Sequence, residues 1–207
     1  MAGKQAADPS PRLIAKVEAR PFTGPVYRVI GSRFLASPLS SAGSRLHGGR
    51  FNPPGTFEVL YAALDVETAL AEREGILLSA PGVRLARGVR TGVLLRIGCR
   101  LSRVLDLRDE RVRERLGLTL ASLLGPWLPW NASSAERGAP AAVAPSQRLG
   151  LAVYESGRFE AILSPSAKDA QGSCLAIFPD RLRRGSHLTI DDPEGVIRTA
   201  LGLGGRE

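Results

Sequence analysis

One stretch constrains this chain more than any other. It runs Gly48-Gly49-Arg50-Phe51-Asn52-Pro53-Pro54-Gly55, then a strand-like run carrying Tyr61, then Glu67-Thr68-Ala69-Leu70-Ala71-Glu72. Paired glycines let the backbone pass close to a neighbouring group, and Pro53-Pro54 stiffens the far side of the loop. The order is therefore rigid loop, strand and helix, with an arginine on the first, an aromatic on the second and carboxylates on the third. A fixed guanidinium binds phosphate through two parallel hydrogen bonds, and a stiff loop loses little entropy in doing so. Such a set suits a ligand bearing phosphate and ribose. The residues alone leave a second reading open, a plain turn with a solvated arginine. Glu72 and Glu74 lie two positions apart and point to different sides of one helix, so spacing does not choose between them.

Hydrophobic patterning around this block predicts a mixed fold. Residues 26–30, 57–64, 92–99, 102–107, 160–163, 173–178 and 187–190 read as strands, short apolar or alternating runs bounded by turn residues. Residues 11–20, 66–74, 109–116 and 146–156 read as helices. Over 66–74 the expected N-cap is Asp65, the apolar stripe is Val66, Ala69 and Leu70, and the stop is Gly75. Residues 31–55 read as one long loop, 119–130 as an apolar stretch broken by proline, and 131–145 as a mobile surface loop. Strands and helices mix without regular βαβ spacing, so the expected class is α+β. The expected organisation is a single domain: a frayed tail and short helix over 1–24, a core unit over 25–190, and a C-terminal tail over 191–207.

Several chemistries are argued against by what the sequence lacks. No G-x-G-x-x-G follows a strand, no G-x-x-x-x-G-K-[ST] phosphate loop is present, and no G-x-S-x-G elbow occurs. His47 and His187 are the only histidines, which argues against a histidine-based zinc site. Cys99 and Cys174 lack C-x-x-C spacing and make no disulfide framework; each reads as a small core residue on a strand. Residues 1–20 carry no secretory-signal pattern and no run approaches the length of a membrane span, so a cytoplasmic protein is expected. The net charge of +8 favours acidic partners, whether nucleic acid, an acidic protein or a phosphate-rich small molecule. A nucleic-acid-binding or RNase reading finds no basic helix block, no aromatic-interleaved basic strand and little histidine for RNA cleavage.

Four segments taken together resemble the RES-domain family, the toxin half of RES–Xre toxin–antitoxin pairs. They are Val26-Tyr27-Arg28; Gly48 to Gly55; Leu60-Tyr61-Ala62-Ala63 with Thr68-Ala69-Leu70-Ala71-Glu72; and Pro165-Ser166-Ala167-Lys168-Asp169 running into Gly172-Ser173-Cys174. They occur in the family's order. Phe51 stands where tryptophan is common, Lys168 where arginine is common, and residues 131–145 match nothing in the pattern.

The resemblance implies a fold similar to ADP-ribosylating toxins, a split, mixed β core with helices around an NAD cleft. It implies NAD+ as substrate, broken at the nicotinamide N-glycosidic bond by water or inorganic phosphate; the alternative is an ADP-ribosyltransferase that modifies a target protein. It implies no metal and a helix-turn-helix Xre-type antitoxin that covers the cleft, with no membrane or direct nucleic-acid contact by this chain. On the matching positions, Glu72, Arg50, Tyr61 and Ser166 are the expected catalytic residues. Tyr27, Arg28, Arg50, Phe51, Asn52, Tyr61, Ser166 and Lys168 are the expected NAD+-binding residues. In that assignment Glu72 holds the ribose hydroxyls, Arg50 with Arg28 clamps the pyrophosphate, Tyr61 stacks on nicotinamide or ribose, and Ser166 holds a phosphate or ribose oxygen.

Overall fold

The computed structural model describes residues 11–79, 92–128, 143–195, 197 and 200–202. The tail expected over 1–10 and the part of the expected surface loop over 131–142 lie outside these residues. The strands are β1 Arg20–Gly31, β2 Leu60–Ala63, β3 Gly92–Asp106, β4 Ala161–Pro165, β5 Ser173–Ile177, β6 His187–Ile190 and β7 Ala200–Gly202. The helices are α1 Pro11–Ala15, α2 Ala42–His47, α3 Val66–Ser79, α4 Glu110–Arg115, α5 Leu120–Leu124 and α6 Pro145–Glu155.

The strands form one seven-stranded sheet in the order β1-β2-β5-β4-β3-β6-β7, and β1 pairs again with β3. The first five strands therefore close into a ring, from which β6 and β7 continue. The pairing of β3 with β4 is parallel, while the neighbouring pairs are antiparallel. Closure covers much of the edge that an open five-stranded sheet would expose, leaving residues 20–26 of β1 paired on one side only. The fold is α+β, a mixed barrel-like core flanked by helices.

Strand alternation sorts the apolar residues into two cores. Val26, Ile30, Leu60, Ala62, Leu95, Ile97, Ala161, Leu163, Leu175 and Ile177 pack together on one face. Their neighbours Tyr61, Leu105, Ile162 and Ala176 face the other way, against Ile14 of α1, Leu123 of α5, and Leu149 and Val153 of α6. The second face carries the candidate site.

Several expected boundaries shift. The two strands expected over 92–99 and 102–107 are one strand, because Leu95, Ile97, Cys99 and Leu101 keep the alternation unbroken against β1. β1 begins at Arg20 despite Pro21 and Pro25; β2 pairs with it only at Tyr27, leaving residues 20–26 a free edge on which proline is tolerated. The strand expected over 57–64 is regular only over Leu60–Ala63. The long loop over 31–55 contains a 3-10 turn at Ser32–Phe34 and the short α2. α3 continues through Gly75, and its buried face differs from the expected stripe: Leu70 is 51% exposed and Thr68 is 0% exposed. β1 and β7 extend the sheet beyond the expected 25–190 unit on both sides.

Candidate active site

The arginine loop is a tight turn. Gly49 N–H donates to the Asn52 carbonyl at 2.8 Å, which leaves Arg50 and Phe51 at the tip. Gly48 supplies a left-handed φ of 73° that other residues rarely adopt. Gly49 has no room for a side chain, since a Cβ there would lie 2.6 Å from the Tyr61 ring and hydroxyl. Tyr61 holds the turn from beneath, donating to Asn52 Oδ1 at 2.8 Å and accepting from Phe51 N–H at 2.9 Å. Burial pushes the Tyr61 phenol well up from its ordinary value, so the hydroxyl keeps its proton. Gln147 on α6, fully buried, donates to the carbonyls of Gly49 at 3.0 Å and Asn52 at 3.3 Å. Arg50 itself is half-buried, and Nη1 donates to the carbonyls of Leu123 at 3.0 Å and Gly125 at 2.9 Å, at the end of α5. Burial lowers the Arg50 pKa, opposed by the negative field of Glu72.

Glu72 projects from α3 towards the segment joining β4 to β5. Its Oε1 accepts from Ser166 Oγ at 2.6 Å, from Ala167 N–H at 3.2 Å and from the Cys174 thiol at 3.6 Å. Among the described residues every hydrogen bond to Glu72 falls on Oε1. The Ser166 hydroxyl also accepts from the N–H groups of Lys168 and Asp169, each at 3.1 Å. A serine hydroxyl has one proton to donate and two lone pairs, so this one is fully engaged. Burial and the neighbouring Glu72 charge push the Cys174 thiol well up, which keeps it protonated. Cys99 lies in the first core as expected, its thiol raised to about 12 chiefly by burial. Cys174, expected in the core too, instead borders Glu72.

The structure thus brings Arg50, Tyr61, Glu72 and Ser166 to one region of the second face and gives Glu72 its partners there; the Glu74 side chain lies outside what is described. The other expected ligand residues are placed differently. Phe51 is 2% exposed and Asn52 is 0% exposed, with Asn52 Nδ2 donating to the carbonyls of Ser44 and Phe57. Both build the loop from below. Tyr27 bonds to Arg96 across the β1–β3 pair. Arg28 lies on the first-core face beside Val26 and Ile30; Nη2 donates to the Ser40 carbonyl at 3.0 Å, and Nη1 is buried without a partner among the described residues. Burial lowers its pKa to about 10. Lys168 contributes its backbone N–H to Ser166 while its side chain is exposed. A separate cleft of about 570 Å³, lined by Arg45, Phe57, Glu58 and Tyr154 among others, shares no residue with the Glu72 cluster.

Sequence reasoning missed Gln147 and the partnership of Thr68 with Asp169. Gln147 also accepts from Ala144 N–H at 3.1 Å, a capping arrangement at the start of α6. A glutamine three residues after a helix start is a signal that could have singled it out. Among the described residues no group of three or more His, Cys, Asp or Glu is arranged to hold a metal ion. No helix among them is long and apolar enough to cross a membrane.

A Gly-bounded arginine turn, an aromatic supporting it and a helix carboxylate tied to a Pro-Ser segment define a class. Residues 25–197 match the RES domain, and the chain belongs to the RES-domain family. Among solved structures the chain is similar to one from the crystal structure of the M. tuberculosis MbcT-MbcA toxin-antitoxin complex, with a TM-score of 0.63 and 22% identity. The likeness covers 93% of this chain and 91% of that one, and it establishes a shared fold. Comparison with curated proteins finds none that matches.

Proposed function

We propose that the chain cleaves NAD+ between nicotinamide and ribose and passes the ADP-ribosyl group to water or inorganic phosphate. The observation that carries this reading is the Glu72 carboxylate, held through Oε1 by Ser166, Ala167 and Cys174 within the electrostatic reach of Arg50. NAD+ brings its own leaving group. When the N-glycosidic bond breaks, its electron pair goes to the pyridinium nitrogen, nicotinamide departs neutral, and positive charge builds on the ribose. The reaction needs positioning and one fixed carboxylate more than a strong nucleophile or an acid.

With Oε1 tied down, Oε2 accepts from a ribose hydroxyl and the carboxylate charge stabilises the oxocarbenium-like ribose. The Arg50 guanidinium holds the pyrophosphate, and Arg28, on the first-core face, takes no part in that contact. Ser166 and Tyr61 act through others, Ser166 fixing Glu72 and Tyr61 fixing the Arg50 turn, since their hydroxyls are engaged. Water or phosphate then bonds to the anomeric carbon, and water gives up its proton to solvent. The two-carboxylate scheme of glycosidases is unnecessary because the leaving group needs no protonation.

The ring of strands with flanking helices is in keeping with kinship to ADP-ribosylating toxins. The similar solved structure belongs to a toxin–antitoxin complex, which supports reading this chain as a toxin; in that reading it acts in the cytoplasm and an Xre-type antitoxin covers its cleft. The net charge of +8 suits both a substrate with a dianionic pyrophosphate and an acidic antitoxin segment. Glu72→Gln keeps the side-chain volume and removes the charge. It is expected to bind NAD+ in calorimetry and to release no nicotinamide. Wild-type turnover by Glu72→Gln removes Glu72 from the mechanism. Transfer of label from NAD+ to lysate proteins identifies a protein acceptor instead.

A further inference from the structure

Among the described residues, Glu72 is one of two that tie α3 to the segment between β4 and β5. One turn earlier on the same helix, Thr68 Oγ1 donates to Asp169 Oδ2 at 2.7 Å. Residues four apart share a helix face, so Thr68 and Glu72 reach the same segment side by side. Thr68 is 0% exposed, an unusual place for a hydroxyl unless it has a partner. Its backbone N–H is capped by Asp65 Oδ1 at 2.7 Å, which fixes the start of the helix.

Asp169 links the two attachment points. Its side chain accepts from Thr68, and its N–H donates to the same Ser166 hydroxyl that donates to Glu72. Its other side-chain oxygen accepts from Gln171 N–H at 3.1 Å, and its carbonyl accepts from Gly172 N–H at 3.1 Å. The hydrogen bonds from Thr68 and Gln171 hold the Asp169 carboxyl below its ordinary value. The hydroxyl is closely confined: a Cβ on Gly172 would lie 2.0 Å from Thr68 Oγ1 and 2.7 Å from Asp169 Oδ2.

We propose that Thr68 and Asp169 are positioning residues whose hydrogen bond sets the rotation and height of α3, and thereby the place of the Glu72 carboxylate. A helix held at one point pivots about it; a second hold one turn away stops the pivot. The inference rests on Glu72 being the reacting carboxylate. It accounts for a polar residue at the buried position of α3 where apolar patterning placed Leu70 instead.

The test uses the purified full chain with Thr68→Val, Thr68→Ser, Asp169→Ala, the double variant Thr68→Val/Asp169→Ala, and Glu72→Gln. NAD+ cleavage kinetics and thermal melts are read on each. Thr68→Val is expected to lower kcat about tenfold with KM within about twofold, since small displacements of a reacting group carry such costs. Thr68→Ser, which keeps the hydroxyl, restores kcat. Asp169→Ala lowers kcat at least as far as Thr68→Val, since it also removes the acceptor of Gln171 N–H, and the double variant is no worse than Asp169→Ala, because the Thr68–Asp169 bond is already gone. Amide exchange at Ala167 is faster in Thr68→Val than in the wild type. Folded Thr68→Val and Asp169→Ala with wild-type kcat overturn the inference, as does a double variant showing the product of the two single losses. If Thr68→Val does not fold, Asp169→Ala, altered at a loop position, decides alone. Glu72→Gln separates the claims: inactive Glu72→Gln beside fully active clamp variants sinks the clamp only. Active Glu72→Gln overturns the function and the clamp with it.

Discussion

Ser166→Ala puts the division of labour in the site to its sharpest test. The substitution removes a 2.6 Å hydrogen bond to the Glu72 carboxylate and the acceptor for two N–H groups, those of Lys168 and Asp169. A hydrogen bond to a charged group contributes about 1.5–3 kcal/mol net. Lys168 is exposed and Asp169 half-exposed, so water takes over much of what their amides lose. The expected destabilisation is therefore about 2 kcal/mol, which for a domain of this size lowers Tm by about 4–8 °C. Ala167 N–H and the Cys174 thiol remain on Oε1, but the carboxylate loses its shortest restraint. A displacement of about 1 Å at a reacting group costs on the order of 100-fold. The expected kinetic result is a fall in kcat of that order with KM for NAD+ within about twofold. Steady-state nicotinamide release and a thermal melt give both numbers. A raised KM with kcat intact would refute the reasoning, because it would mean that the hydroxyl holds the ligand and not Glu72.

Further outcomes follow from other parts of the structure. Arg50→Ala is expected to weaken NAD+ binding in calorimetry by at least about tenfold, as a bidentate phosphate contact is lost; unchanged affinity moves the phosphate clamp elsewhere. Gly150→Ala puts a Cβ 1.8 Å from the Phe51 carbonyl oxygen, so the Arg50 turn must shift; a loss of about 1–3 kcal/mol is expected in urea unfolding, with reduced NAD+ affinity. A wild-type urea midpoint would show that α6 does not brace the turn. Glu160, 0% exposed, accepts from the N–H groups of Ser102, Arg103 and Arg183 and from the Ser102 hydroxyl. Burial works to raise its pKa, but these bonds and one from Ser186 outweigh it and hold the carboxyl below its ordinary 4.5. A depressed folded pKa gives stability that is present above 4.5 and is lost as pH falls below it. The stability gap between wild type and Glu160→Gln is therefore expected to narrow as pH falls from 6 towards about 3; a gap independent of pH contradicts this account.

What was legible in the sequence is what local chemistry sets. The Arg50 turn shows itself through its glycines and prolines, Asp65 as a cap through its place before an apolar run, and His187–Ile190 through bare alternation. Strand boundaries near β1 and β3 were less legible because proline and arginine are read as interruptions. A free edge tolerates the prolines, and the alternating face carries the strand past Arg100. The least legible part was how the site is braced. Thr68 meets Asp169 across 101 residues and Ser166 meets Glu72 across 94. No periodicity within one segment encodes a bond between two. The resemblance named Ser166 without its partner; the geometry supplies the partner and leaves the hydroxyl no proton for a ligand. Phe51 and Asn52 stood in the same motif as Arg50, yet the turn sends them into the core and leaves Arg50 half-buried above.

The central claim is NAD+ cleavage at a site organised around Glu72. The most direct measurement is proton NMR of NAD+ incubated with the purified chain, with and without inorganic phosphate, beside Glu72→Gln. The account predicts nicotinamide release by the wild type, with ADP-ribose or its 1″-phosphate as co-product, and none by Glu72→Gln. NAD+ left intact by the wild type under both conditions, or consumed equally by Glu72→Gln, contradicts it.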